Sequence, residues 1–260
     1  MSNVTDTLPG SLHGSSGATI KISRDFAWKS GPRATEQGVY LLYGFHRNTA
    51  LPKVVNHNRD GYAMERLYDE PDGVLPGLHT TEHKFSDVMN ALNVVWVNGR
   101  ADPVVVNLSA HQDKVLGLCA KCDIEGHTTS LLNNTMHDIA WHQLKAVLTH
   151  GDPTVDNLMY RGQTPVLIDP IPATTAVPDL ECVDIGKVGQ SAMGYEVARY
   201  GTGTPEVFED FFITYMSGTT NEHLARRYWT AIHLLRALPY MPEERKKNVR
   251  ELFYEATRRI

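Results

Sequence analysis

The chain has 260 residues, of which 42% are hydrophobic and 21% are charged, and its formal net charge is −5. This composition is typical of a globular protein that can bury a sizeable core, and it argues against an intrinsically disordered chain. The acidic balance argues mildly against a protein whose main activity is nucleic-acid binding, although it does not exclude a local basic patch. No run of about 20 apolar residues is present, and the polar residues 1–16 lack the pattern of a signal peptide. A cytoplasmic protein that makes no membrane contact is therefore expected.

The first 70 residues predict a small sheet with one helix. The helix is expected over residues 33–44, after a proline that suits a first helical turn. Asp60-Gly61 lies between two strand-like runs, which is a strong hairpin signal. Strands are predicted at residues 18–22, 25–29, 52–56 and 62–67.

The pattern changes after a Pro- and Gly-rich stretch at residues 71–77. Apolar residues then recur at spacings of three and four, which predicts helices. These helices are expected near residues 85–96, 115–122 and 136–148, and from about 206 to the end. The sequence therefore predicts an α+β chain with a sheet-rich lobe at residues 1–70, including a hinge near 62–70, and a larger helical lobe at residues 71–260.

The three cysteines form too sparse a set for a disulfide framework. Cys119 and Cys122 have the spacing of a zinc or redox pair, but a structural zinc site needs four ligands and no second matched pair is nearby. The prediction is ordinary reduced thiols.

Polar residues cluster in a loop between a predicted helix and a predicted hairpin. The loop covers residues 150–157, and the hairpin strands are the apolar runs 158–160 and 166–168. A Gly-containing connection joins these two runs, as expected for a hairpin.

The register of this hairpin brings two oxygen-bearing side chains together. The prediction starts from a pairing of Tyr160 with Pro165. Counting back along both strands then sets Asn157 opposite Ile168, next to Asp169. An amide oxygen and a carboxylate suit Mg²⁺, which needs only one or two carboxylates when phosphate oxygens complete its ligand set.

The motif His150-Gly151-Asp152, followed by Asn157 and by Asp169 in Ile-Asp-Pro, resembles the aminoglycoside phosphotransferase and choline kinase branch of the protein-kinase-like superfamily. The spacing from Asp152 to Asn157 is that of the catalytic loop of protein kinases. The resemblance implies a protein-kinase-like two-lobed fold, with Asp152 as the catalytic base and with Asn157 and Asp169 as ligands of Mg²⁺. It also implies that Asp184 braces the loop.

The same resemblance implies two charged partners in the first lobe. Lys29, at the end of a predicted strand, is expected to reach the phosphates of ATP, although Lys21 or Lys53 can take this role. Glu36 on the next helix is the expected partner of that lysine, with Gln37 as the alternative.

Residues 62–67 resemble the hinge strand of the same family, in which a Met-Glu pair is common. Met64 is then expected to line the adenine pocket, and Glu65 and Arg66 to offer backbone groups to the adenine edge. The Gly- and Ser-rich residues 14–17 can cover the phosphates or serve as a flexible linker.

The activity that the resemblance implies is ATP- and Mg²⁺-dependent transfer of the γ-phosphoryl group to a hydroxyl of a small molecule. The acceptor classes are amino sugars, sugars, amino alcohols and nucleoside-like compounds. Two alternatives stay open: a kinase of protein Ser/Thr or of a modified nucleic acid, and a nucleotide-binding pseudokinase that acts as an interaction module. A cationic acceptor would be bound by acids of the helical lobe; the candidates are Asp156, Asp179, Glu181, Glu206, Glu209 and Asp210.

Overall fold

The computed structural model describes residues 12–13, 18–43, 48–73, 80–98, 106–174, 176–201 and 205–260. The predicted phosphate cover at residues 14–17 lies outside this set. The chain forms two compact units, one of Met1–Arg100 with Asn157–Pro172 and one of Ala101–Asp156 with Ala173–Ile260. The sequence predicts a boundary at residue 70, where strand-like patterns give way to helical ones. The two units instead group the residues that pack together, so residues 71–100 and 157–172 belong to the first unit.

The first unit contains a five-stranded antiparallel sheet in the order β1-β2-β3-β5-β4. Gly61 faces Asn58 across the turn between β4 and β5, which confirms the predicted Asp-Gly hairpin. A Cβ atom at Gly61 would lie 2.0 Å from the carbonyl oxygen of Lys29, so only glycine allows β5 to approach β3 this closely. The strands are β1 Leu12–His13, β2 Thr19–Ile22, β3 Phe26–Ser30, β4 Val54–Asn58 and β5 Gly61–Glu65.

Two helices and a second hairpin complete this unit. The helices are α1 Ala34–Tyr43 and α2 Thr81–Asn98, and the hairpin strands are β6 Leu158–Arg161 and β7 Thr164–Leu167. Tyr160 pairs with Pro165, as predicted. The Tyr160 hydroxyl donates to the Asp87 carboxylate on α2 at 2.9 Å, which ties the hairpin to that helix.

The second unit is helical, and its centre is the packing of α5 on α8. Small residues make this contact close: a Cβ atom at Gly186 would lie 2.4 Å from Cβ of Trp229. The aromatic side chains of Tyr228 and Trp229 are fully buried here. The helices are α3 Leu108–Lys121, α4 Gly126–Asp138, α5 Glu181–Ala192, α6 Tyr195–Tyr200, α7 Glu209–Tyr215, α8 Asn221–Ala237 and α9 Glu243–Arg258.

The predicted helix over residues 136–148 is wrong. Helix α4 ends at Asp138, a short 3₁₀ turn covers Trp141–Gln143, and the chain is then extended. Val147 N donates to Asp179 O at 3.2 Å, and Ala146 forms a bridge with Leu180. The apolar residues that recur at spacing three in this stretch are buried. Pairing with residues 179–180, more than 30 positions later in the chain, holds the backbone extended.

Among the described residues, no helix combines the length and the apolar character needed to cross a membrane.

Candidate functional site

A buried lysine and an aspartate meet in the first unit. Lys29 on β3 is only 2% exposed, and its Nζ lies 2.7 Å from Oδ1 of Asp169, just after β7. Asp169 has a φ of 61°, a left-handed conformation that is uncommon outside glycine. The alternative lysines are exposed, Lys21 on β2 and Lys53 just before β4. The predicted lysine is therefore the one that the fold buries against a candidate metal ligand.

The structure does not form the expected pair between Lys29 and Glu36. Glu36 lies on the exposed face of α1, whereas the neighbouring Gln37 is buried. Gln37 Nε2 donates to the carbonyl oxygen of Pro170 at 3.2 Å. Helix α1 therefore reaches the segment after Asp169 through a neutral amide, because its periodicity turns residue 37 and not residue 36 inward.

The hairpin register places the two candidate metal ligands at one end of the β6–β7 ribbon. Ile168 N donates to the carbonyl oxygen of Asn157 at 2.9 Å, so Asn157 stands opposite Ile168, as predicted. Within the described part of the chain, no three His, Cys, Asp or Glu side chains group to hold a metal. An amide oxygen with a single carboxylate fits Mg²⁺, which tolerates a sparse protein ligand set, better than it fits zinc.

The N–H groups of the two predicted hinge residues bond within the protein. Glu65 N donates to Lys53 O at 3.0 Å, and Arg66 N donates to Asp25 O at 3.2 Å. The expectation that the backbone of these residues binds the adenine edge stays a prediction for their carbonyl groups. Leu67 N has no hydrogen-bond partner among the described residues.

Two buried side chains of β5 line the region around the lysine–aspartate pair. Met64 is buried, and its expected place in an adenine pocket stays a prediction. Tyr62 pairs with Lys29 across the sheet, and its hydroxyl is buried without a hydrogen-bond partner among the described residues. Burial, with a further contribution from the charge of Asp169, raises the pKa of Tyr62 far above its usual range. Tyr62 is therefore neutral at physiological pH.

The carboxylate of Glu65 has a structural partner that the sequence did not indicate. Arg161 on β6 forms an ion pair with Glu65, and its Nε donates to Glu65 Oε2 at 2.9 Å. Arg161 also donates to the carbonyl oxygens of Thr49 and Leu51, at 2.8 and 3.1 Å. Burial opposes ionisation of Glu65, but the hydrogen bond and charge of Arg161 outweigh it and lower the pKa of the carboxyl group.

In the second unit, Asp184 on α5 holds the start of the polar loop. Its carboxylate is fully buried and accepts hydrogen bonds from His150 N at 2.9 Å and from Gly151 N at 2.7 Å. Gly151 has a φ of 79°, which glycine adopts without strain. These bonds confirm the bracing role expected for Asp184.

Asp152 follows directly in the same loop and has a cationic neighbour that sequence reasoning missed. Nζ of Lys187 lies 2.9 Å from Oδ1 of Asp152. The available signal was its position on α5, one helical turn after Asp184.

Glu196, in the first turn of α6, is a second residue that sequence reasoning missed. The Ser191 hydroxyl donates to Oε1 of Glu196 at 2.6 Å. Burial is the largest influence on Glu196 and raises its pKa to about 7, and the charge of Asp156 acts in the same direction. The guanidinium carbon of Arg199 lies 5.0 Å from the ring centroid of Tyr200 beside it.

Contacts within the second unit divide the acids considered for acceptor binding. Asp179 accepts from Thr149 N and Oγ1, at 3.1 and 2.7 Å. Two others form ion pairs: Glu181 with Lys145 and Arg226, and Glu209 with Arg259. Glu206 and Asp210 form no such ion pair within the described part of the chain.

The sequence matches no family model and no curated protein. Solved structures, in contrast, match over almost the whole chain. Choline kinase LicA from Streptococcus pneumoniae has a TM-score of 0.58 at 11% identity, covering 95% of this chain and 92% of that chain. APH(2″)-IIa in a ternary complex with streptomycin and ATP has a TM-score of 0.56 at 12% identity, covering 97% and 91%. Macrolide 2′-phosphotransferase MphH from Brachybacterium faecium has a TM-score of 0.53 at 12% identity, covering 96% and 94%.

At identities this low, the structural likeness shows the fold alone. That fold agrees with the resemblance drawn from the loop motif. The chain therefore has the two-lobed, protein-kinase-like fold that aminoglycoside phosphotransferases and choline kinases share.

Proposed function

We propose that this protein is a phosphotransferase that moves the γ-phosphoryl group of ATP to a hydroxyl of a small molecule. The observation that carries the proposal is the buried contact between Lys29 and Asp169 at the end of a hairpin whose register also sets Asn157 there. The similar solved structures support it, because their names describe a choline kinase, a macrolide 2′-phosphotransferase and a complex with streptomycin and ATP.

The nucleotide half of the proposal rests on the first unit. Lys29 binds phosphate oxygens of ATP, and Met64 forms an apolar wall for the purine. Because the N–H groups of Glu65 and Arg66 already bond to the carbonyl oxygens of Lys53 and Asp25, the proposed donor to the purine edge is Leu67 N. Glu36 has no role in this scheme.

Asn157 and Asp169 are the proposed ligands of Mg²⁺. When bound, the ion neutralises charge on the phosphate oxygens during transfer. The amide oxygen of Asn157 and the carboxylate of Asp169 suit such a hard cation. Gln37 keeps the Asp169–Pro170 backbone in place through its bond to the Pro170 carbonyl oxygen.

Asp152 is the proposed base. It orients the acceptor hydroxyl and takes its proton while the new oxygen–phosphorus bond forms and the bond to ADP breaks. Asp184 supports this function indirectly, because its two bonds to the loop backbone hold the residues before Asp152. Asp156, Glu206 and Asp210 are the candidates for recognising an acceptor amine.

The test is Mg²⁺-dependent turnover of ATP with water, aminoglycosides, sugars, amino alcohols, nucleosides and casein as acceptors. We expect Asp152→Asn to lower turnover by roughly 10² to 10⁴ fold, the usual contribution of general base catalysis. Asp138→Asn is the matched control, because Asp138 is an exposed acid at the end of α4.

Calorimetry of Mg-ATP binding separates the base from the metal ligands. Asp152→Asn should bind Mg-ATP normally, whereas Asp169→Ala should lose most of the affinity. Near wild-type turnover in Asp152→Asn would remove that residue from the role, and binding without turnover of any acceptor would favour the pseudokinase alternative.

A further inference from the structure

Lys187 supplies the polar loop with a cation that the loop itself lacks. Residues 150–157 contain two aspartates and neither Lys nor Arg. The Lys187 side chain is 16% exposed and that of Asp152 is 26% exposed, with 2.9 Å between Nζ and Oδ1. A pair this well shielded from water is screened less than an exposed surface ion pair.

The position of Lys187 on α5 explains why it reaches this carboxylate. Residues three apart on a helix share a face, so Lys187 lies one turn beyond Asp184. Asp184 accepts the N–H groups of His150 and Gly151, so it holds the loop backbone against this face. One turn of α5 therefore fixes both the backbone of the loop and the side chain of Asp152.

The surroundings of Lys187 restrict its motion. Its Nζ lies 5.9 Å from the ring centroid of Tyr195, which is itself buried. Helix α5 cannot easily shift, because Gly186 and Gly189 pack it tightly on α8: a Cβ atom at either position would lie 2.4 Å from an atom of α8. The ammonium group is thus presented from a rigid element.

We propose that Lys187 is a positioning residue for phosphoryl transfer and that it acts through Asp152. It holds the carboxylate in one orientation, so that the proton of the acceptor hydroxyl passes to Asp152 as the new oxygen–phosphorus bond forms and the bond between phosphorus and ADP breaks. Lys187 itself exchanges no proton in this step. The inference rests on the proposed function, since it takes Asp152 as the base.

A double-mutant cycle under single-turnover conditions tests this dependence, with Mg-ATP and water, or the best acceptor of the panel, as substrates. Lys187→Met should lower the transfer rate about 10- to 100-fold, the cost of a misplaced reactive group, and leave the KM for ATP nearly unchanged. Lys187→Arg, which keeps the charge, should restore part of the rate. In an Asp152→Asn background, Lys187→Met should change the rate less than about 3-fold, because residues that act as one unit are not additive.

Lys145→Met is the control, since Lys145 also pairs with an acid of α5 but is 58% exposed. Thermal unfolding checks the fold of each variant, and Lys187→Gln replaces Lys187→Met if the latter unfolds. Full additivity in the cycle, or wild-type rates in Lys187→Met, would overturn the inference and leave the proposed function intact. Normal turnover in Asp152→Asn, or no ATP turnover by the wild type, would overturn both.

Discussion

Glu196 lies on α6 with its carboxyl group turned toward α5, where Ser191 donates to it at 2.6 Å. Burial raises its pKa to about 7, the charge of Asp156 adds to this, and the Ser191 hydrogen bond works in the opposite direction. The folded state therefore holds the proton more tightly than the unfolded state, whose carboxyl has a pKa near 4.5. The stabilisation that Glu196 provides is fully present below pH 4.5 and is lost as the pH rises through about 7.

Glu196→Gln should remove this pH dependence. A neutral amide cannot ionise, so we expect the variant to be more stable than the wild type at pH 8 and nearly equal to it at pH 5. Urea unfolding at the two pH values measures the difference. Glu251→Gln, at an exposed position on α9, should show no such change, and a Glu196→Gln variant that is less stable at pH 8 would contradict the prediction.

Arg161 shows at the scale of elements how the β6–β7 hairpin is fastened within the first unit. Its guanidinium group reaches the Glu65 carboxylate on β5 and the carbonyl oxygens of Thr49 and Leu51, before β4. The Tyr68–Tyr160 bridge adds backbone bonds in both directions. The hairpin that ends at Asp169 is thereby held to the sheet that carries Lys29.

Arg161→Ala should destabilise the protein by about 1–3 kcal/mol, because it leaves a part-buried carboxylate and two carbonyl groups without their charged donor. Guanidinium chloride unfolding gives this value. Arg59→Ala is the matched control, since the Arg59 side chain is 94% exposed in its pair with Asp60 and exposed pairs contribute little. An equal loss of unfolding free energy in Arg161→Ala and Arg59→Ala would contradict the proposal that Arg161 holds the hairpin to the sheet.

The elements themselves could be predicted where their signals are local. The Asp60-Gly61 turn and the pairing of Tyr160 with Pro165 follow from turn chemistry and strand period, and both are confirmed. The helix expected at residues 136–148 was wrong, because Asp179 and Leu180 hold that segment extended. Backbone pairing with a distant segment cannot be predicted from the local spacing of apolar residues.

The molecule as a whole carries buried histidines that link its stability to pH. His111 on α3 has one ring nitrogen 2.8 Å from Ala176 O and the other 2.9 Å from the Tyr228 hydroxyl. Burial lowers its pKa to about 4, and burial also holds the pKa of His233 on α8 well below its usual range. Both residues are neutral in the folded protein at physiological pH.

Acidification from pH 7 to pH 5 should therefore remove the stabilisation that these two histidines provide, which outweighs the opposite contribution of the single Glu196. The unfolded chain binds protons at these histidines near pH 6.5, before the folded state does, so their stabilisation is lost as the pH falls from 6.5 toward 4. His111→Gln should lower the free energy of unfolding at pH 7. It should also reduce the slope of that free energy against pH by up to about 1.4 kcal/mol per pH unit, the value for one proton. Urea unfolding across this range measures the slope; the exposed His137→Gln should leave it unchanged, and an equal slope in His111→Gln would refute the assignment.

Local sequence patterns were enough to predict the α+β character, to pick out the polar-loop motif at residues 150–157 and to set the register that brings Asn157 opposite Ile168, because each depends on residues close in the chain. Folding decides three further points: Gln37 and not Glu36 faces inward, the Leu67 N–H group has no partner within the described ranges, and Lys187 reaches Asp152. The physical reason is common to all three. Which groups are buried, bonded or paired depends on segments that meet only after folding, and one residue of helix rotation or one strand contact is enough to exchange a predicted residue for its neighbour.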